Sequence, residues 1–348
     1  MSGFKDPAPA PDDPPHAATP PAFRPQAAPG QREPVKAGPA KRSAPDPSNT
    51  TSPARRAPGR AGRPLGPIAA HVSSAHQAWL DPVREAYLAA AAIGMTMSRL
   101  GAALHISKSK ISELLSGKFY PRWELLYDLA VALNISYWPL YRLWRQAALE
   151  TENKSRTWVD TSTSRVHVTM TATRSTPPLD LTAFRDLTEN GYRLYAGVFL
   201  LAPCCQAAID KTYDQLWLSW NQALASPDAR RYAFTVLRGA VMSATPHLDG
   251  RPEFSAAAFD TIALQALTDD DRAAAQLAET IALFKAMSRL PDNQLDIMVL
   301  RTLHGLDDED ISHLLGLPLP VVRSDARHAT RFLEAILCPP PTSEGDQS

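Results

Sequence analysis

Serine and lysine side chains gather on one short stretch of this sequence, over residues 95–121. Ser107 is followed directly by a lysine, a serine and a lysine, and another serine comes two positions later. Hydroxyl and ammonium groups donate hydrogen bonds to phosphate oxygens and to base edges in the major groove of DNA. The predicted DNA contacts are Ser107, Lys108, Ser109, Lys110 and Ser112, with Thr96 and Lys118 assigned to backbone phosphates.

Two short helices must hold these side chains in place. Thr96 can cap the first helix, and after a two-residue turn Ser107 can cap the second, which ends at Gly117. A third helix, opened by Pro121, is predicted to cover both. The apolar faces expected from helical spacing are Leu100, Ala103 and Leu104, then Ile111, Leu114 and Leu115, then Leu125, Leu126, Leu129 and Leu133. The N-terminus of the second helix also attracts phosphate.

Residues 84–147 resemble the helix-turn-helix domain of Xre-type regulators, a compact four- or five-helix unit. The matching positions are Met95-Thr96, Leu100, Leu104, Ile106-Ser107, Ile111-Ser112, Leu115-Ser116-Gly117-Lys118, Pro121 and Trp123. Gly101 departs from the family pattern, in which alanine is usual. The resemblance implies a domain over 76–150 that binds operator DNA through the helix at 107–116. A generic helical hairpin and a helix-turn-helix domain that binds proteins stay open as other interpretations.

A second unit of the same kind is predicted over residues 307–333. Asp307 can cap a short helix, Gly316 makes a turn, and Pro320 lies in the first turn of the last helix. The exposed face expected on that last helix carries Arg323, Ser324, Arg327, His328 and Arg331, which are predicted to contact phosphates and bases. A solvated basic face on a packing helix is the alternative.

The C-terminal half resembles sigma factors of the extracytoplasmic-function class. Residues 276–338 are similar to sigma region 4 through Leu290-Pro291, Gln294, Leu300-Arg301, Gly305-Leu306, Glu309, Ile311, Leu314-Leu315-Gly316 and Val322-Arg323-Ser324. Residues 181–245 are similar to region 2 through Tyr192-Arg193-Leu194, Asp210, Thr212-Tyr213, Leu216-Trp217, Ser226-Pro227 and Phe234-Thr235-Val236. The resemblance implies contact with promoter DNA or with RNA polymerase core.

Several positions depart from the sigma pattern. Gln206 and Ala207 stand near the place of an acidic pair that grips polymerase in the family. Pro318 replaces the usual cap of the last helix, and Asp325 and Thr330 replace basic residues. Since an acidic side chain on a phosphate-facing surface repels DNA, initiation activity is left open.

Composition divides the rest of the chain. Residues 1–75, rich in Pro, Ala and Arg, and residues 339–348 are predicted to be disordered tails. Residues 151–180, with a weak strand pattern at 166–170, are predicted to be a flexible Thr/Ser-rich linker, and 246–275 a second linker. Tyr137, Trp138, Tyr141 and Trp144 recur at helical spacing, which favours a packing stripe over a ligand cage.

Charge and cysteine usage limit the function classes. The 348 residues hold 36 Lys and Arg against 36 Asp and Glu, so DNA contact must come from local patches. The three cysteines, expected as buried free thiols, lack zinc-site spacing, and the scattered histidines form no catalytic arrangement. No enzyme activity, metal or cofactor is predicted. The absence of a long apolar run predicts no membrane contact. With the free thiols and the predicted DNA binding, the expected localisation is cytoplasmic and nucleoid-associated.

Together the patterns predict an all-α, multidomain, sequence-specific transcription regulator. Its predicted partners are double-stranded DNA and RNA polymerase core. A homodimer is left open, because related domains bind paired half-sites as dimers. Two alternatives stay open: a functional sigma factor that directs polymerase to promoters, and a protein-interaction adaptor.

Overall fold

A computed structural model describes residues 65–172, 176–255, 258 and 270–338. These residues are mostly helical, which confirms the all-α prediction. The predicted tails fall mainly outside the described residues. The end of the first tail is wrong, because residues 65–73 pack on the domain that follows: Val72 is buried, and the Ala69 amide donates to the Ser116 carbonyl at 2.9 Å.

The first half opens with five helices, in the order that the sequence predicts. They are α1 (Ser74–Ala92), α2 (Met97–Ala103), α3 (Lys108–Leu115), α4 (Trp123–Ala132) and α5 (Tyr137–Glu150). Leu100, Ile111, Leu114 and Leu115 are buried as expected, whereas Ala103 is exposed. Helix α4 begins two residues after Pro121, with Arg122 at its N-cap.

The predicted linker at 151–180 is helical over much of its length. It forms α6 (Arg156–Thr163) and α7 (His167–Ala172), so the weak strand pattern was misleading. Ser155 caps α6 by accepting from the Trp158 amide at 3.1 Å, and Val159 and Met170 are buried in the core of the first half. The alcohol residues that suggested a loop instead bond back to their own helix, as Ser162 does to the Trp158 carbonyl at 2.7 Å.

Aromatic rings fill the centre of the first half. Trp79, Trp123 and Trp144 have no exposed surface, and Tyr120 lies between Trp79 and Trp144 with ring centroids 5.7 and 6.1 Å away. The other members of the predicted stripe, Tyr137, Trp138 and Tyr141, are half-buried and pack on the same cluster. The packing interpretation of the stripe is therefore confirmed.

Within the described part of the second half, three long helices come first, as predicted, and a hairpin and four more α-helices follow. The elements are α8 (Leu179–Phe199), α9 (Ala202–Ala225), α10 (Ala229–Ala244), β1 (His247–Leu248), β2 (Arg251–Pro252), α11 (Asp270–Met287), α12 (Asp292–Met298), α13 (Asp308–Leu315) and α14 (Leu319–Leu337). The strands pair antiparallel, with His247 opposite Pro252. A π-helical turn, Val299–Leu303, continues α12. The hairpin and the start of α11 occupy described parts of the predicted 246–275 linker.

The helices of residues 181–245 and those of residues 276–338 share one hydrophobic core. Tyr195 and Phe234 from the first segment lie in the same buried cluster as Ile297 and Val322 from the second. Three polar side chains also meet at this core: the Tyr195 hydroxyl donates to Asp296 at 2.8 Å, and the half-buried Arg238 guanidinium donates to the same carboxylate at 2.9 Å. Residues 181–245 and 276–338 thus pack as one body and not as two separate domains.

Helix α9 also packs against the first half. Leu218 of α9 contacts the aromatic core of that half, and Gln222 bonds to Glu85 of α1. Arg142 of α5 forms an ion pair with Asp214 of α9. The described residues from 65 to 338 consequently form one compact unit, which the prediction of a flexible connection did not foresee.

Candidate nucleic-acid interface

The two predicted caps form at the starts of α2 and α3. Thr96 Oγ1 accepts from the Arg99 amide at 3.1 Å, and Ser107 Oγ accepts from the Lys110 amide at 3.2 Å. Each cap fixes where its helix begins and satisfies one of the amides that a helix N-terminus leaves unpaired. Thus Lys108 is the first residue of α3, beside the positive end of the helix dipole.

A close backbone approach sets the turn between α2 and α3. The Ile106 amide donates to the Gly101 carbonyl at 2.9 Å, and a Cβ on residue 101 would lie 2.6 Å from the Ile106 carbonyl oxygen. His105 adopts a left-handed conformation, with φ of 53°. Glycine at 101 therefore allows the two helices to meet at this turn.

The exposed face of α3 carries most of the predicted contacts. Lys108, Ser109 and Ser112 are exposed, as are Thr96, Ser107 and Lys118 around them. Lys110 differs, because its ammonium group lies 3.1 Å from Glu113 Oε2 and 3.5 Å from the centre of the Phe119 ring. The Lys110 side chain therefore helps to hold the end of α3 in place, and it is less available to DNA than its neighbour Lys108.

Two exposed arginines on this surface were not among the DNA contacts predicted from the sequence. Arg99 lies in the first turn of α2 and Arg122 at the N-cap of α4, and both side chains are exposed. Among the described residues, neither guanidinium takes part in a salt bridge. The sequence could have indicated both as phosphate contacts, since each is a basic residue at the start of a helix of the predicted unit.

The C-terminal end of α3 is anchored from behind. Arg84 of α1 donates to the Leu115 carbonyl and, at 2.8 Å, to the Gly66 carbonyl. Gly117 has a φ of 72° and packs so closely on Val72 that a Cβ would lie 2.5 Å from a Val72 methyl carbon. A cation at a helix C-terminus is favourable, and these contacts fix the direction in which α3 points.

The second unit forms with the predicted geometry. Asp307 accepts from the amides of Glu309 and Asp310 at 2.9 and 2.8 Å, and Gly316 ends α13 in the left-handed conformation, with φ of 61°. Ser324 of α14 is half-buried. The exposed members of the predicted contact set are Arg323, Arg327, His328 and Arg331.

Acidic residues lower the positive charge of that second surface. The Asp308 carboxylate forms salt bridges with two guanidinium groups, that of Arg323 at 3.5 Å and that of Arg301 at 3.4 Å. Glu309 and Asp310 add further exposed negative charge in the same helical turn. The first unit therefore presents the stronger cationic surface of the two.

Burial shifts the pKa of the carboxyl group that joins α12 to α8 and α10. Desolvation raises the pKa of Asp296 to about 6, although the Arg238 cation and two hydrogen bonds act in the opposite direction. Burial likewise lowers the pKa of His304, which lies close to the Leu194 backbone. Both groups lie in the packing between helices and away from the exposed faces of α3 and α14.

Comparison with models of known protein families, with curated protein sequences and with solved structures gives no match. Within the described residues, no helix is long and apolar enough to cross a membrane, and no cluster of His, Cys, Asp and Glu could hold a metal ion. The three cysteines are free, but only Cys205 is buried, so the expectation of three buried thiols is wrong for Cys204 and Cys338.

Proposed function

We propose that this chain is a DNA-binding transcription regulator that reads double-stranded DNA with the unit formed by α2 and α3. The observation that carries the proposal is the exposed, Ser107-capped start of α3, where Lys108, Ser109 and Ser112 share one face. A helix of this kind can enter the major groove with its N-terminal residues toward the bases. Thr96 and Lys118 would contact the flanking phosphates.

The local charge supports this assignment despite a net charge of zero. Lys108, Lys118, Arg99 and Arg122 are exposed around the α2–α3 unit, and Glu113 on the same surface is paired with Lys110. Phosphate contacts from such cations supply a large part of the affinity for DNA and make it depend on salt. The sigma-like half would contact promoter DNA or RNA polymerase core, and a second copy of the chain would pair half-sites.

The experiment selects genomic DNA fragments with the full chain and then measures binding to a selected fragment across a salt series. Lys108→Ala/Lys118→Ala should weaken binding by tenfold or more and reduce the slope of log K against log salt by about 2. Lys285→Ala/Arg289→Ala is the matched control, because it removes the same charge from exposed positions on or next to α11.

Equal losses in the two double variants would mean that general charge, and not the α2–α3 face, holds the DNA. If no fragment is selected and protein partners co-purify from nuclease-treated extract, the chain is an adaptor. Run-off transcription from polymerase core plus this chain alone would instead identify a functional sigma factor.

A further inference from the structure

The β1–β2 hairpin of the second half lies next to α11 and is tied to α8. Asp249 and Gly250 form its turn with φ of 52° and 74°, the left-handed pair that a tight type I′ turn requires. Just after the hairpin, the Ser255 amide donates to the Val198 carbonyl at 2.8 Å and the Ser255 hydroxyl to the Gly197 carbonyl at 3.0 Å. The end of the hairpin is therefore fixed on the helical core.

Stacked aromatic rings join the same segment to α11. Phe254 stacks on Phe284 of α11 with ring centroids 4.6 Å apart, and on Phe199 of α8 with centroids 5.4 Å apart. Such ring pairs contribute packing energy beyond the area that they bury. A cavity of about 430 Å³ remains between the hairpin and α11, and both elements line it.

Much of the cavity lining is apolar. Its apolar side chains are Leu248, Pro252, Phe254, Ile281 and Phe284. Leu248 is 64% exposed and Ile281 is 37% exposed, so apolar surface beside the cavity is left in contact with water. The cavity volume lies within the range of about 300–1,000 Å³ that is typical of small-molecule sites. A ligand with an apolar body would remove this surface from water.

The charged residues of the lining favour an anion. Three are cations, Arg251, Lys285 and Arg289, and two are carboxylates, Asp249 and Glu253. All five side chains are exposed, and none of them forms a salt bridge with another described residue. The lining thus carries one net positive charge, and its cations are available to an acidic group.

The local geometry places an apolar side chain beside a cation on each element. Leu248 and Arg251 are directly opposite each other in the antiparallel pair, so both side chains leave the same face of the hairpin. On α11, Ile281 and Lys285 are four residues apart and are neighbours on one helical face. An acid whose ring or chain packs on the apolar pair would therefore bring its anionic group close to both cations.

We propose that the cavity between the hairpin and α11 binds a small organic acid with an apolar ring or chain. The apolar part packs on Phe254 and Phe284, and the acidic group pairs with Arg251, Lys285 and Arg289. None of the lining residues belongs to the α2–α3 unit. The proposal consequently goes beyond the proposed function and does not depend on DNA binding.

The test titrates the full chain with two fluorescent probes. One is the aromatic acid 8-anilinonaphthalene-1-sulfonate, and the other is N-phenyl-1-naphthylamine, which has the same rings without the sulfonate. Arg251→Ala/Lys285→Ala should raise the Kd for the acid by about tenfold and leave the Kd for the neutral probe unchanged. Leu248→Ala should raise both Kd values by about threefold, because it removes apolar contact from either probe.

Two control variants match these changes. Arg145→Ala/Arg156→Ala removes the same charge from exposed positions outside the cavity, and Leu187→Ala removes an exposed leucine from a separate groove between α8 and α9. Both controls should keep the two Kd values of the parent chain, and near-ultraviolet circular dichroism confirms that each variant is folded.

Three results would overturn the inference. They are no saturable binding of the acid, equal weakening by the control and cavity variants, and equal weakening of both probes when the cations are removed.

Discussion

Arg142 of α5 and Asp214 of α9 form a bidentate ion pair that joins the two halves of this protein. The Arg142 Nε atom lies 2.8 and 3.0 Å from the two carboxylate oxygens of Asp214. The Asp214 side chain is only 9% exposed, whereas that of Arg142 is 49% exposed. Burial raises the pKa of Asp214, with the Arg142 hydrogen bond and charge opposing that rise, so the carboxylate depends on its partner.

Removal of the arginine should therefore destabilise the protein. Arg142→Ala leaves Asp214 buried without its cation, and the free energy of unfolding should fall by about 2 kcal/mol, less than for a fully buried pair because Arg142 is half-exposed. Urea unfolding measures the loss. Arg145→Ala, an exposed arginine on the same helix, should change stability by under about 0.5 kcal/mol. Similar losses from both variants would show that the ion pair contributes nothing specific.

The raised pKa of Asp296 predicts a distinct pH dependence. Its pKa of about 6 exceeds the ordinary aspartate pKa of 3.8, so between these pH values the folded state holds a proton that the unfolded state releases. The contribution of this group to stability is present below about pH 4 and is lost as the pH rises through 6. The loss is on the order of 2–3 kcal/mol.

Asp296→Asn isolates this effect, since asparagine can still accept from Tyr195 but does not titrate. Relative to Asp296→Asn, the wild-type protein should lose about 2–3 kcal/mol of unfolding free energy between pH 4 and pH 7. Asp292→Asn serves as the comparison, because Asp292 is largely exposed at 2.9 Å from Arg238. A difference between wild type and Asp296→Asn that stays constant with pH would contradict the assignment.

Gly101 should resist replacement even by alanine. A helical Gly→Ala change usually adds about 1 kcal/mol of stability, but here the new Cβ meets the Ile106 carbonyl oxygen. The backbone of the turn must move, so we expect a net loss of about 1–2 kcal/mol and weaker binding to a selected DNA fragment. Gly239→Ala, in open space on α10, should give the ordinary gain. Equal gains at both glycines would show that the turn tolerates a methyl group.

Met170 tests whether the segment after α5 belongs to the core. Its side chain is 3% exposed, and its sulfur accepts from the Trp123 indole at 3.0 Å. Met170→Ala should cost about 2–4 kcal/mol by leaving a cavity and an unpaired indole nitrogen. Val168→Ala on the same short helix should cost little, because Val168 is 76% exposed. A negligible effect at Met170 would restore the interpretation of this segment as a linker.

Local signals made much of the fold predictable. Ser107, Asp307 and Gly316 each bond to backbone atoms within a few residues of themselves, so the caps and turns of both units follow from the sequence. The spacing of buried leucines on α3 is equally local. The aromatic stripe of α5 packs as its period indicates.

Long-range pairings were not predictable in the same way. Arg142 and Asp214 are separated by 72 positions, and each looks like an ordinary exposed charge on a helix. The Thr/Ser-rich segment after α5 resembles a loop because its helical stability comes from burial of Val159 and Met170. The contacts of Lys110 with Glu113 and Phe119 depend on where the chain turns after α3. These contacts place Lys110 below Lys108 among the candidate DNA contacts.

Helix α9 contributes side chains to the hydrophobic cores of both halves. Ile209 and Leu216 lie in the core of the second half, while Leu218 contacts that of the first. Cutting the protein at residue 180, where the predicted 151–180 linker ends, would leave each fragment with a bare apolar face and a broken ion pair. This shared helix makes the two halves one folding unit. The smallest fragment that can fold therefore contains both halves, although the order of motifs along the chain suggests separate domains.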